Sequence, residues 1–318
     1  MRAVWLREFG GPEVLTPGEA PDPVADPGRV VVDVAFANIT FVETQFRATG
    51  GGPFAGTLPM VPGNGVGGVV AAVGSGVPAD LLGTQVITST GGSGGYAERV
   101  AVDAAALFLV PAEVPLDVAV ALLADGRTAT MMTRAAGLRT GDRVLVEAAA
   151  GGVGSLIVQL AKAAGAMVVA AAGGARKLAV ARDLGADVTV DYTDENWPKL
   201  VRDATGAVDV VFDGVGGDIG AASFDLLGPG GRMVSFGLAS GTWTAITDDE
   251  ATARDVTLVR PAATPDELRA YTESALAEAA AGRLQPIIGQ RFPLAEAAAA
   301  HAAIQSRATI GKTLLETR

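Results

Sequence analysis

Val144-Leu145-Val146-Glu147-Ala148-Ala149-Ala150-Gly151-Gly152-Val153-Gly154-Ser155 decides the fold. Its opening is a short run rich in β-branched residues, the pattern of a buried strand. A tight glycine turn follows, and 156–165 then reads as a helix stopped at the Gly165 cap. Strand, glycine turn and helix in that order are what a dinucleotide fingerprint requires. Set against G-x-G-x-x-G, the three small positions are Ala149, Gly151 and Gly154, with Ala149 departing from the first glycine. Gly151 lets backbone approach a pyrophosphate, and Gly154 lets helix pack closely on strand. The helix N-terminus adds open N–H groups and the positive end of its dipole. Glycines alone would read as a tight turn; the flanking elements assign nucleotide contact to Ala150, Gly151, Gly152, Val153 and Gly154.

Which nucleotide binds is read from the next strand, 167–172. An acid about 20 residues past the first glycine would take a ribose 2′-hydroxyl and mark NAD. Here that stretch holds Gly173, Gly174 and Ala175, then Arg176 and Lys177. Two cations in place of a carboxylate suit a 2′-phosphate, which guanidinium grips with two bonds. A solvated helix start would also carry cations, but the missing acid favours NADPH.

Outward from this centre the texture divides. Up to residue 114 the chain is strand-like and turn-rich, with strands expected at 30–36, 86–90 and 96–102 and a short helix within 38–47. The stretch 63–74, crowded with glycine, has no helix after it. It reads as a β segment with bulges or close backbone approach in a small barrel, not as a phosphate loop. From Pro115 helices and strands alternate: helices at 118–124, 128–137 and 176–184, strands at 187–190, 208–213 and 230–237. Such alternation predicts a parallel, doubly wound sheet whose ligand lies beyond the strands' carboxyl ends. Thr264-Pro265-Asp266-Glu267 is a capping box opening a helix to about 281. An alanine-rich helix at 294–306 and a strand at 313–315 close the chain.

The 318 residues suit two domains, and a hydrophobic content of 49% excludes a disordered chain. The net charge of −11 repels phosphate backbones, so nucleic acid is not an expected partner. The absence of cysteine excludes disulfides and thiolate metal sites. The N-terminus lacks the apolar core of a signal peptide, and the most apolar window, 153–175, is broken by Gln159 and Lys162; no membrane span is expected, and the cytoplasm is the expected compartment.

Taken together, 149–155, Leu184-Gly185-Ala186-Asp187, Val211-Phe212-Asp213-Gly214-Val215-Gly216-Gly217, 231–237 and Ser306-Arg307-Ala308-Thr309-Ile310-Gly311-Lys312 resemble the zinc-free quinone oxidoreductase (zeta-crystallin-like) branch of the medium-chain dehydrogenase/reductase superfamily. The resemblance spans nearly the whole chain. It implies an α/β protein with a GroES-like β-barrel catalytic domain at 1–114 and 254–318 and a Rossmann NADPH-binding domain at 115–253. It also implies metal-free reduction of quinones or enones by NADPH, and a homodimer. By position, Lys177 and Tyr192 match residues near the adenosine 2′-phosphate, Arg307 a basic residue near the cofactor, Thr128 a threonine near the nicotinamide, and Phe236 and Gly237 the loop against that ring. Val215 and Leu238, in the same motifs, join the cofactor set. Tyr192 also reads as a half-buried strand-end residue, and Phe236 as core. The substrate half departs from the family: Thr40 stands where asparagine is common, Gln45 where tyrosine is common, Phe54 near a missing second tyrosine, and Asn64 in place of a glutamate.

Alcohol oxidation in this superfamily uses zinc held by cysteine and histidine. Without cysteine and with the single histidine His301, that site cannot be built, and no metal ligand is assigned. His301 reads as a packed or surface helix residue. What remains is chemistry the cofactor largely performs itself: hydride delivery to an electron-poor carbon, with donors for the oxygen that gathers charge. Thr40 and Thr128 are the catalytic candidates. Phe41, Gln45, Phe54, Asp125 and Arg127 are the substrate-pocket candidates. An enoyl-thioester reductase and a non-catalytic NADPH-binding protein remain as alternatives.

Overall fold

The computed structural model describes residues 1–54 and 56–317. Their elements run β1 (Arg2–Leu6), β2 (Leu15–Glu19), β3 (Arg29–Ile39), α1 (Phe41–Thr49), β4 (Gly65–Val73), β5 (Gln85–Ser89), β6 (Arg99–Asp103), β7 (Phe108–Leu109) and α2 (Leu116–Ala136). Next come β8 (Arg143–Val146), α3 (Gly152–Ala163), β9 (Met167–Ala172), α4 (Ala175–Asp183), β10 (Val188–Asp191), α5 (Trp197–Thr205), β11 (Val208–Asp213), α6 (Gly217–Phe224) and β12 (Leu227–Ser235). The chain finishes with α7 (Asp248–Ala253), β13 (Thr257–Val259), α8 (Pro265–Ala280), β14 (Ile288–Pro293), α9 (Ala297–Gln305) and β15 (Lys312–Glu316). None of the helices is long and apolar enough to cross a membrane.

Two compact units result: Met1–Ala124 with the stretch from Leu276 onward, and Asp125–Ala275. In the first, β3 is the hub. It pairs antiparallel with β15, β4 and β6, and the sheet continues β14-β15-β3-β4-β5-β7. The glycines of β4 behave as expected of close approach. Val34 faces Gly68, where a Cβ would overlap the Asp33 carbonyl oxygen. Apolar side chains of this sheet, among them Val30, Val32, Val66, Val86 and Leu315, are fully or nearly fully buried and form its core with Phe46 and Tyr96. Each such side chain contributes about 1.5–3 kcal/mol of burial.

The second unit is a six-stranded parallel sheet ordered β10-β9-β8-β11-β12-β13. Sequence order reverses between β8 and β11, so the crevice beyond their carboxyl ends is the topological switch point. Val144, Leu145 and Val146 are fully buried, as are Val210, Val211 and Phe212 opposite them. A strand covered on both faces has no polar alternation, which is why both read as continuous apolar runs.

The structure differs from the sequence reading at several places. The helices expected at 118–124 and 128–137 are one helix, α2. A mid-helix glycine costs about 1 kcal/mol, and the buried Ala119, Val120, Leu123, Ala129 and Met132 along α2 outweigh Gly126. Helix α3 starts at Gly152 rather than Leu156, so the last glycines of the turn are already helical. Tyr96 precedes β6 instead of opening it, and the C-terminal helix begins as a 3-10 turn at Leu294 before α9. Elements α5, α6, α7, β13 and β14 were not anticipated; the glycines of α6 and the clustered polar residues of α7 mask their periodicity.

Candidate functional site

The fingerprint turn is built by strain and close packing. Ala148 leaves β8 with φ +47, a left-handed conformation unusual for a residue with a side chain. Gly151 N–H then closes the turn on the Ala148 carbonyl at 2.8 Å. A Cβ on Gly154 would overlap that same carbonyl, so only glycine lets α3 sit this close to β8. Gly151 is the N-cap of α3 and supplies no side chain to bond its first turn. A helix start with no side-chain cap, opening on the switch point, fits the phosphates of a dinucleotide.

At the end of β9 the chain turns through Gly173 and Gly174, the latter at φ +88, into α4. Arg176 and Lys177 lie in the first turn of α4, Arg176 exposed and Lys177 half-buried. The Tyr192 ring stands against Gly173, where a Cβ would lie 3.4 Å from Cε2. It is half-buried and packs on the core of the unit, as its strand-end reading expects. Gly174 N–H is taken by Asp191 Oδ2 at 3.0 Å, a carboxylate that the sequence reading passed over. Hydrogen bonds from Thr193 and Gly174 hold the Asp191 pKa below the usual carboxylate range.

Beyond β11 and β12 two loops are zipped together. Phe236 N–H donates to Asp213 O at 2.8 Å and Ser240 N–H to Val215 O at 2.8 Å. The Phe236 ring covers Gly214, where a Cβ would come within 2.6 Å of it. Gly237 lies against the Gly214 backbone in the same way, and Leu238 accepts a turn-closing bond from Gly241 at 2.8 Å.

Under these loops lie two buried acids that the sequence reading did not single out. Glu147 and Asp213 are both fully buried. Ser223 Oγ donates to Glu147 Oε1 at 2.5 Å. Val215 N–H is shared between Glu147 Oε2 at 3.1 Å and Asp213 Oδ1 at 3.2 Å. Asp213 further accepts from Gly216 N–H at 2.7 Å, Ser235 Oγ at 2.9 Å and Thr244 Oγ1 at 2.7 Å. Burial, then the Asp213 charge, push the Glu147 pKa well above the usual carboxylate range. A signal was present: each acid closes an otherwise apolar strand run at the switch point.

Asp125, Arg127 and Thr128 are consecutive or nearly so on α2. The Asp125 carboxylate lies against Gly152, where a Cβ would overlap it, so this residue belongs to the fingerprint turn. Burial lowers the Arg127 pKa, opposed by the charge of Asp125. Thr128 is half-buried.

The other candidates lie in the first unit. Thr40 is the N-cap of α1 in a capping box. Its backbone N–H and its hydroxyl both donate to Glu43 Oε2 at 2.7 Å. Phe41 and Gln45 are half-buried on α1, and Phe54 stands edge-on to Phe46 with ring centroids 5.9 Å apart. Arg307 follows α9, exposed, at φ +57. His301 is 1% exposed, with Nε2 2.9 Å from the Tyr96 hydroxyl and Nδ1 buried without a partner. It is a packed core histidine, and burial drives its pKa down to about 3. Among the described residues no group of three or more His, Asp and Glu side chains could hold a metal ion.

This geometry meets its counterpart in known proteins. The alcohol dehydrogenase GroES-like domain family matches residues 26–112, and the zinc-binding dehydrogenase family matches 152–276. A probable quinone oxidoreductase of Schizosaccharomyces pombe is 38% identical over 306 residues, covering 93% of this chain and 91% of its own. The chain belongs to the quinone oxidoreductase branch of the medium-chain dehydrogenase/reductase superfamily. A quinone oxidoreductase of Pseudomonas aeruginosa is 34% identical, with 99% of each chain covered. A 2-haloacrylate reductase of a Burkholderia species is 32% identical, with 98% of each covered. The solved structure of Escherichia coli quinone oxidoreductase complexed with NADPH superposes with a TM-score of 0.90 at 30% identity, covering 99% of this chain and 100% of its own. The family thus joins a GroES-like domain to a Rossmann domain, as the resemblance implied. One matching family is described as zinc-binding, yet this member has no cysteine.

Proposed function

We propose that this chain is a zinc-independent NADPH-dependent reductase of quinones or other α,β-unsaturated carbonyl compounds. Family membership makes it an NAD(P)H-dependent oxidoreductase; the acceptor class and the independence from zinc are the proposal. The fingerprint turn at the switch point, followed one strand later by glycines and two cations instead of an acid, carries the reading. Ala150 to Gly154 would hold the pyrophosphate, and Arg176, Lys177 and Tyr192 the 2′-phosphate. Val215, Phe236, Gly237 and Leu238 would flank the nicotinamide, and Arg307 would add a cation. Freedom from zinc rests on composition: thiolate ligands are absent and the one histidine is engaged with Tyr96.

Bound NADPH supplies a hydride. The protein must then align the acceptor and stabilise the oxygen on which charge gathers. In the second unit, Thr128 and Arg127 on α2 would offer a hydroxyl and a guanidinium for that oxygen, with Asp125 beside them; in the first unit, Gln45 would offer an amide, and Phe41 and Phe54 apolar surface, to an acceptor. The Thr40 proton is engaged with Glu43 in the resting chain. Burial raises the Glu43 pKa, opposed by the hydrogen bonds from Thr40 and Asn64. Thr40, standing where asparagine is common in the family, is the further donor candidate for that oxygen.

Titration of NADPH against NADH, followed by anaerobic assays on a panel of quinones and enones with and without chelator, tests the proposal. Preference for NADPH and chelator-insensitive turnover are expected; absence of nucleotide affinity, or inhibition by chelator, refutes it. Turnover confined to acyl thioesters selects an enoyl-thioester reductase. Tight NADPH binding without turnover selects a non-catalytic binding protein. A cytoplasmic homodimer with a small-molecule substrate belongs to the same proposal, and sedimentation measures the assembly.

A further inference from the structure

Glu147 and Asp213 end two neighbouring parallel strands on either side of the switch point. Their side chains turn back under the loops. Val215 N–H is within 3.1 Å of one carboxyl oxygen and 3.2 Å of the other, so Glu147 Oε2 and Asp213 Oδ1 converge on one point. Two ionised carboxylates cannot share such a point in a buried site; one must keep a proton.

The donor sets say which. Asp213 accepts from two backbone N–H groups beyond β11, from Ser235 on β12 and from Thr244 in the loop before α7. Glu147 has Ser223 and a half-share of Val215. The better-solvated carboxylate is Asp213, and the proton belongs to Glu147.

Among the described residues no cation bears on Glu147. On β8 and β11, Arg143 and Asp209 pair with each other at 2.7 Å near the opposite strand ends. On β12, Arg232 pairs with Asp142, and on α3, Lys162 pairs with Asp187. Asp218 on α6 is exposed. The charge bearing on Glu147 is that of Asp213, and burial with that charge raises its pKa in accord with the geometry.

We propose that Glu147 and Asp213 share one proton, and that this proton holds the fingerprint turn and the β11–α6 and β12–α7 loops in the arrangement that accepts the cofactor. Glu147 is then a positioning residue: it acts through Asp213, Val215 and Ser223 on loops that flank the cofactor. Loss of the proton places two charges under three loops at once and spreads them. The inference rests on the reading of this unit as the NADPH site.

The substitution Glu147→Gln keeps the shape, with its amide donating to Asp213, its carbonyl accepting from Ser223, and Val215 N–H left to Asp213 alone. Glu147→Ala removes the link. The experiment measures the NADPH dissociation constant and the infrared C=O stretch of a protonated carboxylic acid across neutral and alkaline pH in the full-length chain. The wild-type minus E147Q difference spectrum at neutral pH should show the band. E147Q should bind NADPH within about twofold of wild type at every pH, and E147A about tenfold or more weakly, in KM rather than kcat. In wild type the band and the affinity should persist together or fall together. A missing band, an E147Q as weak as E147A, or affinity that survives loss of the band overturns the inference. Should E147A fail to fold, the E147Q comparison and the band still decide it. Absence of NADPH binding in every variant at every pH instead overturns the cofactor reading.

Discussion

The two units each carry a glycine-rich stretch and each bury acids, and they use both differently. In β4, Gly68 removes a side chain so that backbone can meet backbone inside a sheet, the Asp33 carbonyl filling the space a Cβ would need. At the β8–α3 turn, Gly154 serves packing in the same way, but Gly151 does not: a Cβ there would sit 3.1 Å from the Ala148 oxygen, a tight but adjustable contact, at an ordinary φ of −80. Its missing side chain leaves the helix start open. The acids divide likewise. Glu43 is held by the Thr40 N–H and hydroxyl and by Asn64 N–H at 3.0 Å, within reach of the Tyr96 hydroxyl at 3.4 Å. It has no second acid beside it. Glu147 shares one donor, Val215 N–H, with Asp213. The lesson is that glycine and buried carboxylate mark architecture in one unit and, on the proposed function, a binding surface in the other, and only what lies next to them tells which.

The largest effect should come from Gly68→Val. It forces a side chain onto the Asp33 carbonyl and should cost about 3–5 kcal/mol, read as a lowered denaturation midpoint. The protein that remains folded should keep its NADPH affinity; a parallel loss of affinity would erase the contrast between the two glycine stretches.

The pH dependence of the first unit comes next. His301 is buried neutral with a pKa near 3, below its unfolded value of about 6.5. The unfolded chain therefore binds more protons below pH 6.5, and the stability this group contributes is complete above that value and lost as pH falls toward 3. By pH 4 the loss is roughly 3 kcal/mol. Glu43, with its raised pKa, works in the opposite sense: its contribution is complete below its unfolded value and lost as pH rises through the folded one. Comparing wild type with His301→Gln in denaturant at pH 7 and pH 4 isolates the histidine, and the variant should show the shallower acid loss.

Gly151→Ala should leave the thermal midpoint within about 2 °C, yet weaken NADPH about tenfold by calorimetry, because it narrows the open helix start while asking the Ala148 carbonyl to give only slightly. Lys177→Ala should have the smallest effect, lowering the NADPH-over-NADH preference about fivefold in kcat/KM, as expected of a charge near the surface. A larger loss with NADH than with NADPH would move the 2′-phosphate elsewhere.

Much of the fold was legible from residues 144–155 outward. Strand, turn and helix were placed by short-range patterns: a β-branched run, glycines at fixed offsets, apolar spacing and a terminal cap. The parallel sheet followed from alternation alone. The boundaries that failed did so where local preference met packing. Gly126 reads as a break, yet α2 runs through it because its apolar side chains are buried on either side. Helix α6 was missed because its glycines weaken the helical pattern, while Gly220 is required where a Cβ would overlap the Thr244 hydroxyl.

Of the site, the backbone parts were legible and the polar network was not. Glycine spacing and the acid missing after β9 are properties of neighbours in the chain, so sequence alone determined the glycine turn between β8 and α3 and the class of nucleotide expected there. Glu147 and Asp213 stand 66 positions apart, and Thr244 joins them only because β12 returns beside β11. Tyr96 and His301 meet across 205 positions. Whether a carboxyl is a surface charge or a protonated buried acid depends on which donors and which other charges surround it. That is a property of the packed sheet, and only the tertiary structure decided it.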